Sequence, residues 1–201
     1  MIITLNGADG SGKSTIINAV AEVTDNRFVH FHSRPGNLAP KSNTEKQRRY
    51  VDRPGEVPKR KVYLQVAKIG LFLAEFYSFA IWHKLMAGPT VVILERSLAD
   101  VYVHPDRYGL DHWLVERLRG LLRDWYADLN IVLTGDAETM ANRKQELPAS
   151  EIDALNRRYA AALARAKEKV LTIDTTRDSV NQSQARIASR IGQITSCHTG
   201  L

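Results

Sequence analysis

The sequence predicts an α/β protein in three layers, a five-stranded parallel sheet with helices on both faces. Short apolar runs alternate with segments whose apolar residues recur at helical spacing, as strands joined by crossover helices do. Most of the runs are apolar almost throughout, which fits strands covered on both sides. The first of them leads into Gly7-Ala8-Asp9-Gly10-Ser11-Gly12-Lys13-Ser14, with Thr15 behind it, which meets the pattern G-x-x-x-x-G-K-[ST] at every fixed position.

That pattern has a physical reason. Its glycines let backbone N–H groups approach phosphate oxygens with no Cβ in the way. Lys13 supplies a cation for the outer phosphates and Ser14 a hydroxyl for Mg²⁺. The loop joins a strand over residues 2–5 to a helix over residues 13–24 carrying Ile16, Ile17, Val20 and Val23, so the helix dipole also favours an anion there.

Arg27-Phe28-Val29-His30-Phe31-His32 alternates as a second strand does and runs into Ser33-Arg34-Pro35-Gly36. Residues 37–61 carry eight of the chain's cations, from Lys41 to Lys61, and no apolar periodicity. They are expected to form a mobile loop, with a short helix near 44–51, able to cover a phosphorylated ligand. Residues 62–86 are apolar nearly all round, but Gln65, Lys68, Glu75 and Ser78 interrupt them, which suits a buried or interface helix better than a membrane span. Gly88-Pro89 ends it.

Thr90-Val91-Val92-Ile93-Leu94 is a β-branched buried strand ending at Glu95-Arg96-Ser97. A helix over about 111–126 would present Trp113, Leu114, Leu118, Leu121, Leu122 and Trp125 on one face. A fourth strand over 129–133, a short helix over 137–144, a helix opened by Ser150, a fifth strand over 170–173 and a final helix over 178–194 complete one domain of 201 residues.

The composition is that of a soluble globular chain, 44% apolar and 25% charged, with formal charge +6. The phosphate loop accounts for the positive charge, so a polyanionic small ligand is expected rather than nucleic acid. The single cysteine, Cys197, permits no internal disulfide, and no basic leader precedes the first strand, which points to the cytoplasm.

Ligands of parallel sheets bind at the carboxyl ends of the strands. That rule collects the phosphate loop, Ser33-Arg34, Glu95-Arg96 and Asp174-Thr175-Thr176 at one edge. Glu95, an acid after a buried strand, is suited to hold Mg²⁺ through water. Arg96 and Arg107 can grip phosphate, and Asp100 is a second carboxylate nearby. Arg143-Lys144-Gln145-Glu146-Leu147 puts two cations in a lid over about 141–150, where transfer-state charge would meet them.

On these residues the chain resembles thymidylate kinases. Asn6 to Thr15, with the acid at Asp9, is similar to their phosphate loop. Glu95-Arg96-Ser97 stands where they carry Asp-Arg-Tyr, and is similar to the Glu-Arg-Ser of deoxynucleoside kinases. Arg143 to Leu147 resembles the lid, with Tyr159 following. Arg34-Pro35-Gly36 and His104-Pro105-Asp106-Arg107-Tyr108-Gly109 resemble a divergent bacterial branch of thymidylate-kinase-like proteins.

The resemblance implies a P-loop kinase fold. ATP would sit on Gly7 to Thr15, with Thr175 and Thr176 beside the adenine. Catalysis would fall to Lys13, Glu95, Arg96, Arg143 and Lys144. Asp9, Arg34, Arg96, Asp100 and Arg107 would hold the acceptor, with Phe72, Phe76 or Tyr77 stacking on it, and related kinases pair through helices like 62–86 as homodimers. This chain departs from the family in having Arg34 and Pro35 adjacent, His32-Ser33 where a glutamate base is common, and Ser97 for tyrosine. Three arginines near the edge favour a nucleoside monophosphate as acceptor. The alternatives are a nucleoside or other small-molecule hydroxyl, with His32, Asp9, Glu95 or Asp100 as base, and a non-catalytic nucleotide switch. The switch is disfavoured because no Asn-Lys-x-Asp motif is present.

Overall fold

A computed structural model of the chain describes residues 1–23, 28–31, 59–86, 90–144, 147–164 and 169–199. The strands β1 (Ile2–Gly7), β2 (Phe28–Phe31), β3 (Val91–Leu94), β4 (Leu129–Thr134) and β5 (Val170–Asp174) form one parallel sheet in the order β2-β3-β1-β4-β5. The helices are α1 (Lys13–Val23), α2 (Val62–Met86), α3 (Leu98–Val103), α4 (His112–Arg117), α5 (Ala137–Arg143), α6 (Ala149–Leu163) and α7 (Val180–Thr199). The expected five-stranded parallel α/β fold is therefore present. Arg34, His32 and the basic loop up to residue 58 lie outside the described residues.

The sheet separates two apolar cores, because successive side chains of a strand point to opposite faces. Ile3 and Leu5 of β1 pack with Ile16, Ile17 and Val20 of α1 and with Ile187 and Ile191 of α7. Ile2 of the same strand faces the other way, into the larger core with Phe72 and Phe76 of α2, Leu98 and Val103 of α3, and Tyr159 of α6. Since β1 is central and buried on both faces, the loop at its end is held from every side.

Phe72 and Phe76, expected to stack on an acceptor, are core side chains at 2% and 0% exposure. Phe76 stacks on Tyr126 with ring centroids 5.5 Å apart, and Phe72 meets the edge of Tyr108 at 5.6 Å. Their spacing on α2 puts both on its inward stripe, so the apolar core takes them. By length and composition α2 could cross a membrane, yet it packs this stripe into the larger core.

The expected helix over 111–126 is shorter, because α4 stops at Arg117. Gly120 disfavours further helix, and Asp124 is drawn away to bond the backbone of another helix. Leu114 and Leu122 stay buried, whereas Trp113, Leu121 and Trp125 are about half exposed.

Phe76→Ala is expected to cost about 3–5 kcal/mol of stability, the range for emptying a buried aromatic site. Denaturant unfolding measures this. An unchanged acceptor KM would accompany it, because the ring supports the core and not the ligand.

Candidate active site

The phosphate loop wraps around its own lysine. Lys13 Nζ donates to the carbonyls of Gly7 at 3.0 Å and Ala8 at 2.9 Å, and lies 3.7 Å from Asp9. Burial lowers the Lys13 pKa, against the pull of Asp9, Asp100 and Glu95. Gly10 has φ +81°, and a Cβ there would lie 2.7 Å from the Met140 carbonyl of α5. Only glycine satisfies both demands, and the contact shows how closely the lid helix lies on the loop. Ser11 is buried, while Ser14 and Thr15 are exposed at the start of α1.

The turn after β3 is tied to this loop from below. Ser97 Oγ donates to Asn6 Oδ1 at 2.9 Å, Asn6 Nδ2 donates to Thr4 Oγ1, and Thr4 Oγ1 donates to Asn130 Oδ1 on β4. All four residues are at most 1% exposed. Because Ser97 spends its hydroxyl there, it does not cap its own helix α3. Asp124 does so from a distant segment, its Oδ1 accepting from Leu98 N at 2.9 Å and Ala99 N at 3.4 Å. Glu95 and Arg96 thus stand on a turn pinned at both ends.

On the side of the loop that carries Asp9, carboxylates hold the arginines. Arg107 Nη2 donates to Asp9 Oδ2 at 3.4 Å, and Arg96 Nη1 lies 3.6 Å from Asp100 Oδ2. Burial pushes the Asp9 carboxyl up, but Lys13, Arg107, Lys144 and Arg96 outweigh it and hold it below the usual range. Asp100, expected to touch the acceptor, is instead only 4% exposed. It accepts from Tyr108 at 2.6 Å and Tyr159 at 2.8 Å, so both its oxygens are taken by protein hydroxyls.

A cavity of about 350 Å³ opens beside the loop, lined by Asp9, Lys13, Ser14, Ile17, Asn18, His30, Glu95 and Lys144. The strand-end rule therefore brings together the phosphate loop, Glu95 and Lys144. Arg143 points elsewhere, donating to the Thr175 carbonyl at 2.9 Å and to Thr175 Oγ1 at 3.4 Å. Thr176 closes the Asp174 turn by bonding its carboxylate. The hydroxyl of Ser14 and the carboxylate of Glu95, both hard oxygen donors, line one cavity and suit Mg²⁺, which takes few protein ligands and keeps water and phosphate oxygens.

Sequence reasoning missed two residues. His30 Nε2 lies 3.1 Å from Glu95 Oε1, and its exit from an alternating strand beside the phosphate loop was the available signal. Asp124 carried no signal, because its partners are 25 and 26 residues away.

The family profile of chloramphenicol phosphotransferase-like proteins matches residues 1–192. The chain belongs to that family. Among solved structures, this chloramphenicol phosphotransferase-like protein is similar to thymidylate kinase from Ehrlichia chaffeensis, at 16% identity over 96% of this chain and 98% of that one, with a TM-score of 0.53. It is also similar to deoxyadenosine kinase from M. mycoides with bound dATP, at 16% identity over 96% and 100%, with a TM-score of 0.56. These structural likenesses concern the fold, that of the P-loop kinases. The chloramphenicol phosphotransferase-like protein is an enzyme of the kinase type.

A half-buried histidine and a buried carboxylate give its stability opposite pH responses. Burial, ahead of the pull of Asp100, pushes His104 from its ordinary 6.5 down to about 4. Its contribution is complete above the unfolded value and is lost as pH falls toward 4. Burial pushes Asp124 from 3.8 up to about 6, against hydrogen bonds from Tyr126 and the α3 backbone. Its contribution is complete below the unfolded value and is lost as pH rises toward 6. His104→Gln should therefore make the change in urea midpoint from about pH 7 to about pH 5 more favourable than in the wild type. Identical pH responses would refute the assignment to His104.

Proposed function

We propose that the enzyme transfers the γ-phosphoryl group of ATP to a hydroxyl of a small molecule. The observation that carries this reading is the pairing of Arg107 with Asp9 and of Arg96 with Asp100. A dianionic acceptor needs surplus cations, and here two of the expected arginines are already balanced by carboxylates. A hydroxyl acceptor needs the opposite, a group to receive its proton. Asp9 and Glu95 both face the cavity, and Asp9 is held ionised.

Two names among the relatives agree with this class, while thymidylate kinase is named for a monophosphate. The family takes its name from a phosphotransferase acting on chloramphenicol, a neutral alcohol, and deoxyadenosine kinase acts on a nucleoside. A nucleoside monophosphate stays the second reading, because Lys144 lines the cavity and Arg96 is one-third exposed beside it.

In this mechanism the N–H groups of Gly7 to Ser14 hold the β- and γ-phosphates and Lys13 meets their outer charge. Mg²⁺, held by Ser14 and through water by Glu95, would neutralise charge between the phosphates. The acceptor oxygen attacks the γ-phosphorus, its proton passes to Asp9, and the bond to the ADP oxygen breaks. Lys144, with Arg143 after a shift from Thr175, meets the negative charge of the transferring group. Thr175 and Thr176 flank the adenine, and Arg107 orients Asp9.

Lys13→Ala should lower turnover at least about a hundredfold while leaving the circular dichroism spectrum unchanged, because it removes charge from the phosphates and not from the core. Asp9→Asn should lower kcat with a hydroxyl acceptor, because it removes the proton acceptor and keeps the shape. Steady-state ADP formation with nucleosides, sugars, other alcohols and nucleoside monophosphates, each at millimolar concentration, tests the acceptor class. Turnover only with monophosphates would replace it by the second reading.

We also propose a homodimer built on α2. Its outward face shows Tyr63 at 65%, Ile81 at 60% and Leu85 at 74% exposure, and Gly70, Ala74 and Ser78 recur every four residues between them. A soluble monomer seldom exposes so continuous an apolar face. Ala74→Glu should convert a dimer to a monomer in sedimentation at micromolar concentration. A monomeric wild type would refute the pairing, and partition into detergent would favour a membrane-facing helix.

A further inference from the structure

We infer that Tyr159 is a positioning residue for phosphoryl transfer: through the buried carboxylate of Asp100 it fixes Arg96 relative to the helix that follows the lid. This rests on the proposed role of Arg96 beside the acceptor. Asp100 is where three elements meet. It lies on α3, four residues after Arg96, and takes hydroxyls from Tyr108 of the turn at Asp106–Tyr108 and from Tyr159 of α6. Arg96 is the exposed member, with about a third of its side chain open, while Asp100 and Tyr159 are buried. The clasp therefore ends on the one group that can reach a ligand.

The hydrogen-bond directions are determined. Tyr159 gives its only proton to Asp100 Oδ1, so the contact from His104 Nε2 at 3.2 Å is a donation to the tyrosine oxygen. That places a proton on His104 Nε2. Burial pushes the Asp100 carboxyl up, but His104, Arg96, Arg107 and the Tyr108 hydroxyl outweigh it and hold it below the usual range, and Asp100 in turn faces Arg96 at 3.6 Å. The residue before the clasp on α6, Arg158, donates to the Tyr102 carbonyl of α3 at 3.2 Å, which gives α3 and α6 a second bond.

A residue that acts through Arg96 makes no difference once Arg96 is gone, whereas a residue that merely stabilises the fold does. The test is a double-mutant cycle of Tyr159→Phe and Arg96→Ala, read as kcat and KM for ADP formation with the acceptor that the panel returns, or with water where it returns none. Acceptor class and clasp therefore fail separately. Tyr159→Phe is expected to lower kcat roughly tenfold, with KM for ATP changed less than about twofold, since a displaced charge falls on the transition state. In the Arg96→Ala background the same change is expected to cost less than about twofold. Wild-type kcat in Tyr159→Phe, or the same loss in both backgrounds, would overturn the inference. If Tyr159→Phe does not fold, Tyr108→Phe removes the other hydroxyl from Asp100 and runs through the same cycle with the same criteria.

Discussion

The hydrogen bond from Ser97 to Asn6 joins the two halves of the site. Ninety-one residues separate its ends in sequence, and both are buried where no water can compete. An unmade bond there would leave polar groups stranded in an apolar interior, which costs more than the bond itself contributes. The turn carrying Glu95 and Arg96 therefore cannot drift from the strand that carries the phosphate loop. Asp124 repeats this constraint on the other side of Ser97, binding the first amides of α3. Its carboxyl is driven up by burial, so the fold gives up some stability to keep an acceptor at that spot.

Charge balance is the second organising constraint. A phosphate site needs cations, yet bare cations close together repel one another and the low-dielectric interior penalises each of them. Here each buried or half-buried cation of the site meets a carboxylate: Lys13 and Arg107 share Asp9, and Arg96 meets Asp100. That arrangement keeps the cavity wall mixed in sign. Under the proposed function, it suits a ligand that brings its charge at one end, the triphosphate, and a neutral hydroxyl at the other.

The helix α5 and the phosphate loop are also in contact, through the Met140 carbonyl over Gly10. α5 in turn packs against α6, and α6 against α3, so the phosphate loop and the Arg96–Asp100 pair belong to one packed layer above the sheet. A change in any one of these helices reaches the others through core side chains, of which Tyr159 is the largest that is fully buried among the described residues.

The sequence by itself determined the sheet, the phosphate loop and the end of the sheet where ligands bind. Those features depend on local patterns: β-branched runs, helical periodicity, and glycines next to a lysine. It also located Lys13, Ser14 and Glu95 at one cavity, because strand ends in a parallel sheet must converge. Tertiary structure decided the rest. Phe72 and Phe76 could be read as stacking rings or, more readily, as core, and the packing of α2 under Tyr108 and Tyr126 settled them as core. Asp100 read as a ligand-facing acid until two tyrosines from distant segments covered both its oxygens. Helix 111–126 failed where Gly120 weakened it and Asp124 found better partners in α3. Asp124 and Tyr159 act through bonds across 25 to 59 residues of chain, a separation no local pattern records, so their place in the site exists only once the layers are packed.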